Sequence, residues 1–414
     1  MRILLISFFN TEAYGLRILH SILMDMGHEL HLLFIENYDE SLIIETIKKI
    51  NPDVMGISIV SQNFQLYKKL YPHIRAAGSY KIVLGGWHVS LDTEGCLDYC
   101  DIACIGEGEV SIKQIIHDIQ NSKPKRTYQN SLTKNLNYPL YNFSSKNIKV
   151  IRESDNGITK IFDEEPYLNN TRYGTILGRG CPYSCTYCSN SYMKRLCPDW
   201  SSIRYRKIDH VITELKNAKN NIKSLDRINF YDEVFLPKKE WIDDFCHKYK
   251  KYIDLPFYCM FYPGTCNKET AQKLSEAGLK GVWIGVQSGS EKLRSEIFKR
   301  YYSNKTLLEQ VDIFTTYNIN CKFDFIFDNP FETPEDRDET LNLINKLPAP
   351  LFANFFSLKF FPNTEITKMA LEKGLKITTV DQTYEEKPEY LINEKQKTDI
   401  LNNAYATTLK SKEI

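Results

Sequence analysis

Short apolar stretches alternate with amphipathic ones twice along these 414 residues, and that double alternation confines the chain to two successive α/β units. In the first third, strands are expected at 3–8, 30–35, 54–59, 81–84 and 101–105. Helices are expected between and after them, at 16–26, 41–50, 65–75 and 109–119. This is the pattern of an open, doubly wound parallel sheet over residues 1–120, which binds ligands beyond the carboxyl ends of its strands. Residues 121–170 turn polar, rich in Ser, Lys, Asn and Pro, and read as a linker or wrapping segment. A second series fills 171–362, with strands at 173–177, 227–231, 257–260, 281–284, 322–327 and 352–359. Helices at 209–219, 239–249, 268–277, 307–317 and 334–347 separate them. Six βα units suit a partial barrel with its chemistry at the strands' carboxyl ends. Residues 363–414 are short of motifs and read as a terminal cap.

Length allows two to three domains. No apolar run approaches the roughly 20 residues that cross a bilayer. The first 15 residues carry one basic residue and no small-residue cleavage site, so they read as a strand rather than a signal peptide. A cytoplasmic protein is expected. With 53 basic and 52 acidic residues, net charge +1, the chain lacks the basic excess of a nucleic-acid binder. Eleven cysteines in a reducing compartment point to metal ligands and buried thiols rather than disulfides.

Three of those cysteines carry the chemistry. Gly178-Arg179-Gly180-Cys181-Pro182-Tyr183-Ser184-Cys185-Thr186-Tyr187-Cys188 follows the first strand of the second series, so three thiols share one loop at the expected catalytic end. Flanking glycines let the backbone approach a cubane's sulfides, and three ligands for four irons leave one iron open. The alternatives are a structural zinc site, for which Cys197 is the nearby fourth ligand, or plain buried thiols. Cys96, Cys100 and Cys104 share a four-residue spacing but no turn glycines, and read as semi-buried thiols. Cys246, Cys259, Cys266 and Cys321 are scattered singly and read as core. His88 reads as a hydrogen-bonded histidine at a strand end rather than a ligand.

The CxxxCxxC loop, with aromatic Tyr187 before its last cysteine, resembles the radical S-adenosylmethionine (SAM) superfamily. Later segments match that family in order. Asn229-Phe230-Tyr231-Asp232-Glu233-Val234-Phe235 is similar to its second-strand segment, and Gly285-Val286-Gln287-Ser288-Gly289-Ser290-Glu291 to its fourth-strand segment near the ribose. Asp324-Phe325-Ile326-Phe327-Asp328-Asn329-Pro330-Phe331-Glu332-Thr333 resembles the fifth-strand segment that packs on adenine, and Lys359-Phe360-Phe361-Pro362-Asn363-Thr364 the sixth. Asp328-Asn329 departs from the usual Gly-Leu. The resemblance implies a TIM-type half barrel holding a 4Fe-4S cluster on Cys181, Cys185 and Cys188. It further implies SAM contacts from Tyr187, Asn190, Asp232, Glu233, Gln287, Ser288 and Ile326, and a flavodoxin- or ferredoxin-type electron donor.

The front third resembles the Rossmann-like cobalamin-binding domain that precedes many radical SAM enzymes, through Pro52-Asp53-Val54-Met55-Gly56-Ile57-Ser58, Gly85-Gly86-Trp87-His88 and Asp101-Ile102-Ala103-Cys104-Ile105-Gly106-Glu107-Gly108-Glu109. The resemblance implies corrin contacts at Gly85, Gly86, Gly106 and Gly108. The mutases' DxHxxG motif is absent, so no lower histidine ligand is expected. Together the two resemblances imply a cobalamin-dependent methyltransferase acting on an unactivated carbon of a small molecule or peptide. A cyclase or rearrangement enzyme and a non-catalytic iron–sulfur protein are the alternatives.

Overall fold

Residues of the first strand are apolar on both faces. Ile3 and Leu5 enter one buried cluster, Leu4 and Ile6 another, as in a strand central to a covered parallel sheet. In the computed structural model, which describes residues 1–143, 146–382, 395 and 397–403, this strand, β1 (Arg2–Phe8), sits within an eight-stranded sheet. The others are β2 (Glu29–Ile35), β3 (Val54–Ser58), β4 (Lys81–Gly85), β5 (Ile102–Ile105), β6 (Thr127–Gln129), β7 (Ile148–Glu153) and β8 (Thr159–Phe162). The order is β6-β5-β4-β3-β1-β2-β7-β8, parallel except for the antiparallel β7–β8 pair. The five expected strands and the doubly wound architecture are present.

The segment read as a linker is instead built into this sheet. It supplies β6 at one margin and β7 and β8 at the other. Its period was invisible because Thr127–Gln129 offers one apolar side chain and β8 is half exposed, so both attach mainly by backbone hydrogen bonds. The same segment joins the two domains. Arg17, buried on the helix Tyr14–Asp25, bonds Glu165 at 2.8 Å, and its guanidinium lies 4.2 Å from the Tyr167 ring centre and 4.6 Å from that of Tyr141. Tyr141 donates to the same Glu165 carboxylate.

The second unit contains β9 (Arg172–Thr175), a ribbon of β10 (Gly178–Arg179) and β11 (Arg204–Tyr205), then β12 (Arg227–Phe230), β13 (Phe257–Phe261), β14 (Leu279–Gln287), β15 (Asn320–Phe327) and β16 (Phe352–Ser357). Apart from the ribbon they form one parallel six-stranded half barrel in chain order, β9 to β16. Phe230, Phe245, Tyr249 and Phe257 pack edge to face behind it. Of the expected cap, the helix Glu365–Glu372 and the turn Val380–Gln382 are described; residues 383–394, 396 and 404–414 lie outside the described residues.

Candidate active site

The cysteine loop is held from every side. Gly180 has φ 110°, and a Cβ there would lie 2.6 Å from Ser202 O, so only glycine lets the chain pass. Cys181 N then bonds Trp200 O at 3.0 Å. Asp232, just past β12, is buried and accepts from Leu177 N at 3.0 Å and Gly178 N at 2.6 Å, fixing the entry to the loop. Thr186 ties its middle to Ile297 O at 2.6 Å, and Lys194 reaches back to Pro182 O at 3.1 Å and Ser184 Oγ at 2.7 Å.

Each of two thiols has its own donor. Asn190 Nδ2 approaches Cys188 Sγ at 3.6 Å while its Oδ1 accepts from Trp200 Nε1 at 2.9 Å. Arg300 Nη1 approaches Cys185 Sγ at 3.4 Å and Tyr187 Oη at 3.3 Å, with Nη2 on Gly285 O. Cys181 is buried against Val234 and Tyr262. Burial raises the Cys181 thiol to about 12 and the Cys188 thiol to about 11, so without metal both are neutral. A bound cation would supply the charge that deprotonates them.

This donor set fits a three-cysteine cluster. Cys197 lies beyond the helix Ser189–Leu196, whose eight residues span about 12 Å. Its thiol faces Gln129 Nε2 at 3.8 Å. Cys96, Cys100 and Cys104 are buried in the front domain, and burial raises each thiol. Cys259, Cys266 and Cys321 are buried in the barrel, and Cys246 partly so.

The front domain meets this loop at its own strand ends. Glu107 takes Arg204 in a fork at 2.6 and 3.0 Å, and Glu109 pairs with Arg179 at 2.6 Å. These buried pairs join the turn after β5 to the β10–β11 ribbon. A Cβ at Gly106 (φ 76°) would meet only Met193 Cε, 3.8 Å away on the helix that leaves Cys188. Trp87, after β4, lies edge-on to Trp200 at 6.1 Å. The glycine-bearing turns after β4 and β5 thus face the cysteine loop at the strand ends, where sheets of this kind bind ligands.

The other expected site residues divide. Tyr187, Asn190 and Glu233 lie by the thiols, and burial raises the Glu233 carboxyl beside Arg179. Ile326 belongs to an apolar cluster with Leu293 and Phe298, against which Tyr187 packs. Gln287 stands at φ 72° where β14 shifts register against β15. The polar groups of Asp232 and Ser288 turn inward instead. The Asp232 carboxylate serves the backbone, and the fully buried Ser288 hydroxyl meets Thr340 Oγ1 at 3.1 Å and Ser290 N at 3.1 Å. Gly86 is needed for packing, since a Cβ would lie 2.7 Å from Ile59 O, and Gly108 sits against Leu19. Gly85 has Cys104 nearest its Cβ position, at 3.8 Å. Asp328 occupies a left-handed position, φ 54°, where the family's glycine is natural, and accepts from Ser357 Oγ at 2.5 Å. His88 is fully buried and bonded to Ser61, and burial lowers its pKa to about 4. Arg300 escaped sequence reasoning because a single arginine in a charged stretch has no spacing signature.

A half barrel with a three-thiol loop at its strand ends, facing a doubly wound domain across that loop, defines an enzyme that pairs an iron–sulfur centre with a second large cofactor. A model of the radical SAM superfamily matches residues 175–344, and one of the B12 binding domain matches residues 4–116. The chain therefore belongs to the radical SAM enzymes that carry a B12-binding domain in front. It is 25% identical over 365 residues to an uncharacterised methyltransferase of Pyrococcus horikoshii, covering 83% of this chain and 74% of that one. It is 22% identical over 306 residues to the bacteriochlorophyllide d C-8(2)-methyltransferase of Chlorobaculum tepidum, covering 71% and 63%. In fold it resembles the radical SAM methyltransferase TsrM of Kitasatospora setae, with TM-score 0.71 and 17% identity over 91% of this chain and 77% of that one. The cobalamin-dependent SAM radical enzyme OxsB has TM-score 0.67 and 16% identity over 95% and 64%. The family's cofactors are a 4Fe-4S cluster, SAM and cobalamin. No helix among the described residues is long and apolar enough to cross a membrane.

Proposed function

We propose that this chain transfers a methyl group from SAM, by way of cobalamin, to an unactivated carbon of a small-molecule or peptide substrate, drawing electrons from a flavodoxin- or ferredoxin-type donor. The observation that carries this reading is the facing arrangement: Gly106 looks onto Met193, on the helix that starts just after Cys188. When bound, the cluster supplies the electron that cleaves SAM to a radical, and cobalamin carries the methyl group. Relatives named as methyltransferases support the same reaction class.

The chain's own residues prepare the site. Arg300 is buried, its Nε has no partner, and among the described residues no carboxylate pairs with it. An unpaired buried guanidinium is costly, and beside Cys185 it suits the carboxylate of a ligand held on that side of the loop. Tyr262, 4.4 Å from that guanidinium, keeps it in line by a cation–π contact. Asn190 steadies Cys188 through Trp200, and Ile326 offers an apolar wall to a flat base.

The test is anaerobic reconstitution with iron, sulfide, hydroxocobalamin, reductant and SAM, followed by product analysis. Both S-adenosylhomocysteine and 5′-deoxyadenosine are expected. Deoxyadenosine without homocysteine product would reject methyl transfer in favour of cyclisation or rearrangement.

A further inference from the structure

Away from the thiols, three ligand atoms converge. A ring nitrogen of His88 and one carboxylate oxygen each of Asp92 and Asp381 lie within 4.8 Å of one another, the only such set of three among the described residues. Two sit four residues apart, His88 on the helix Trp87–Leu91 after β4 and Asp92 at the cap it shares with the helix Thr93–Leu97, and the third comes from the distant turn Val380–Gln382.

Two polar atoms of this cluster are buried without a hydrogen-bond partner among the described residues. His88 is fully buried, and while Nδ1 meets Ser61 Oγ at 3.0 Å, Nε2 has no partner. Asp381 Oδ1 is likewise buried without a partner. Each such atom is destabilising unless something satisfies it. A cation accepts both lone pairs at once. Asp92 uses Oδ1 to cap Gly95 N at 3.2 Å, which leaves its second oxygen. Ser61 on the far nitrogen fixes the ring's orientation, the arrangement that steadies metal-bound histidines, and Phe64 packs 4.1 Å from the ring centre.

We infer that His88, Asp92 and Asp381 bind a divalent transition-metal ion of the zinc class. One imidazole with two carboxylates suits zinc, manganese or iron(II) better than the all-oxygen preferences of calcium and magnesium. The ion would staple the turn Val380–Gln382 to the front domain. That turn already leans on both domains: Gln65 Nε2 donates to Asp381 O at 2.6 Å, and Val380 N donates to Phe360 O at 2.9 Å, just past the last barrel strand. Asn363, on the same exit segment, donates to Leu91 O at 2.8 Å. The metal therefore closes a ring of contacts between the barrel's exit and the loop that follows Gly86.

The test loads the full chain with its cluster first, so that the three thiols are occupied, and then titrates zinc alone by calorimetry, with metal counted after gel filtration. Wild type should retain about one zinc per chain beyond the cluster iron, and Asp381→Asn should weaken binding by about 100-fold or more, since loss of even an outer partner costs 10- to 100-fold. Asp92→Asn serves as a second variant, and unchanged cluster iron in both reports that they fold. Zinc should also slow hydrogen exchange of residues 376–382 in wild type and leave both variants unchanged. No retained zinc in wild type, or equal retention in the two variants, would overturn the assignment.

Discussion

Asp232 shows how a residue picked out by motif can serve the site without touching a cofactor. Its carboxylate binds Leu177 N and Gly178 N, and complete burial raises its pKa from 3.8 to about 7. Between those values the unfolded chain releases a proton that the folded chain keeps. Its stabilising contribution is thus full below about pH 4 and is lost as pH rises towards 7. Asp232→Asn removes that titration while keeping one acceptor oxygen. Urea unfolding midpoints of wild type and variant should therefore differ more in wild type's favour at about pH 4.5 than at about pH 7.5; a difference independent of pH would refute the assignment. At this scale the cysteine loop was legible because its three thiols share one short spacing in sequence. Arg300 and the spent hydroxyl of Ser288 were not, because which way a side chain turns is decided by neighbours distant in sequence, here Cys185 and Thr340.

The β10–β11 ribbon is the element that couples the two domains. It carries Arg179 and Arg204, and the turn after β5 answers with Glu107 and Glu109, all four largely buried. Breaking a buried pair by removing one partner leaves an uncompensated charge and costs about 3–5 kcal/mol, whereas replacing both with apolar residues costs far less. Glu107→Ala should accordingly lower the thermal midpoint by several degrees, and Glu107→Met with Arg204→Met should recover most of it in calorimetry. A double variant as unstable as the single would contradict this. The eleven strands of the two series were readable from periodicity, since each strand is buried on both faces or each intervening helix on one. The three strands of 121–170 were not, since β6 and β8 lie at sheet margins and bury few side chains.

In the whole molecule the turns that follow β4 and β5 meet the cysteine loop and the β10–β11 ribbon, and the supposed linker fastens the two units together. The helix Tyr14–Asp25, the aromatic residues Tyr141, Phe143 and Tyr167, and Tyr173 of β9 belong to one continuous hydrophobic core. Such a core fixes the two units to each other by packing rather than by a hinge, with Gly106 set against Met193 on the cysteine helix. The account rests on three thiols that hold a cluster with one iron free for SAM. Electron paramagnetic resonance of the reduced, anaerobically reconstituted protein tests this most directly. The account predicts a cluster signal that changes shape when SAM is added and disappears in Cys188→Ala. A signal indifferent to SAM, or one that survives intact in Cys188→Ala, would contradict it.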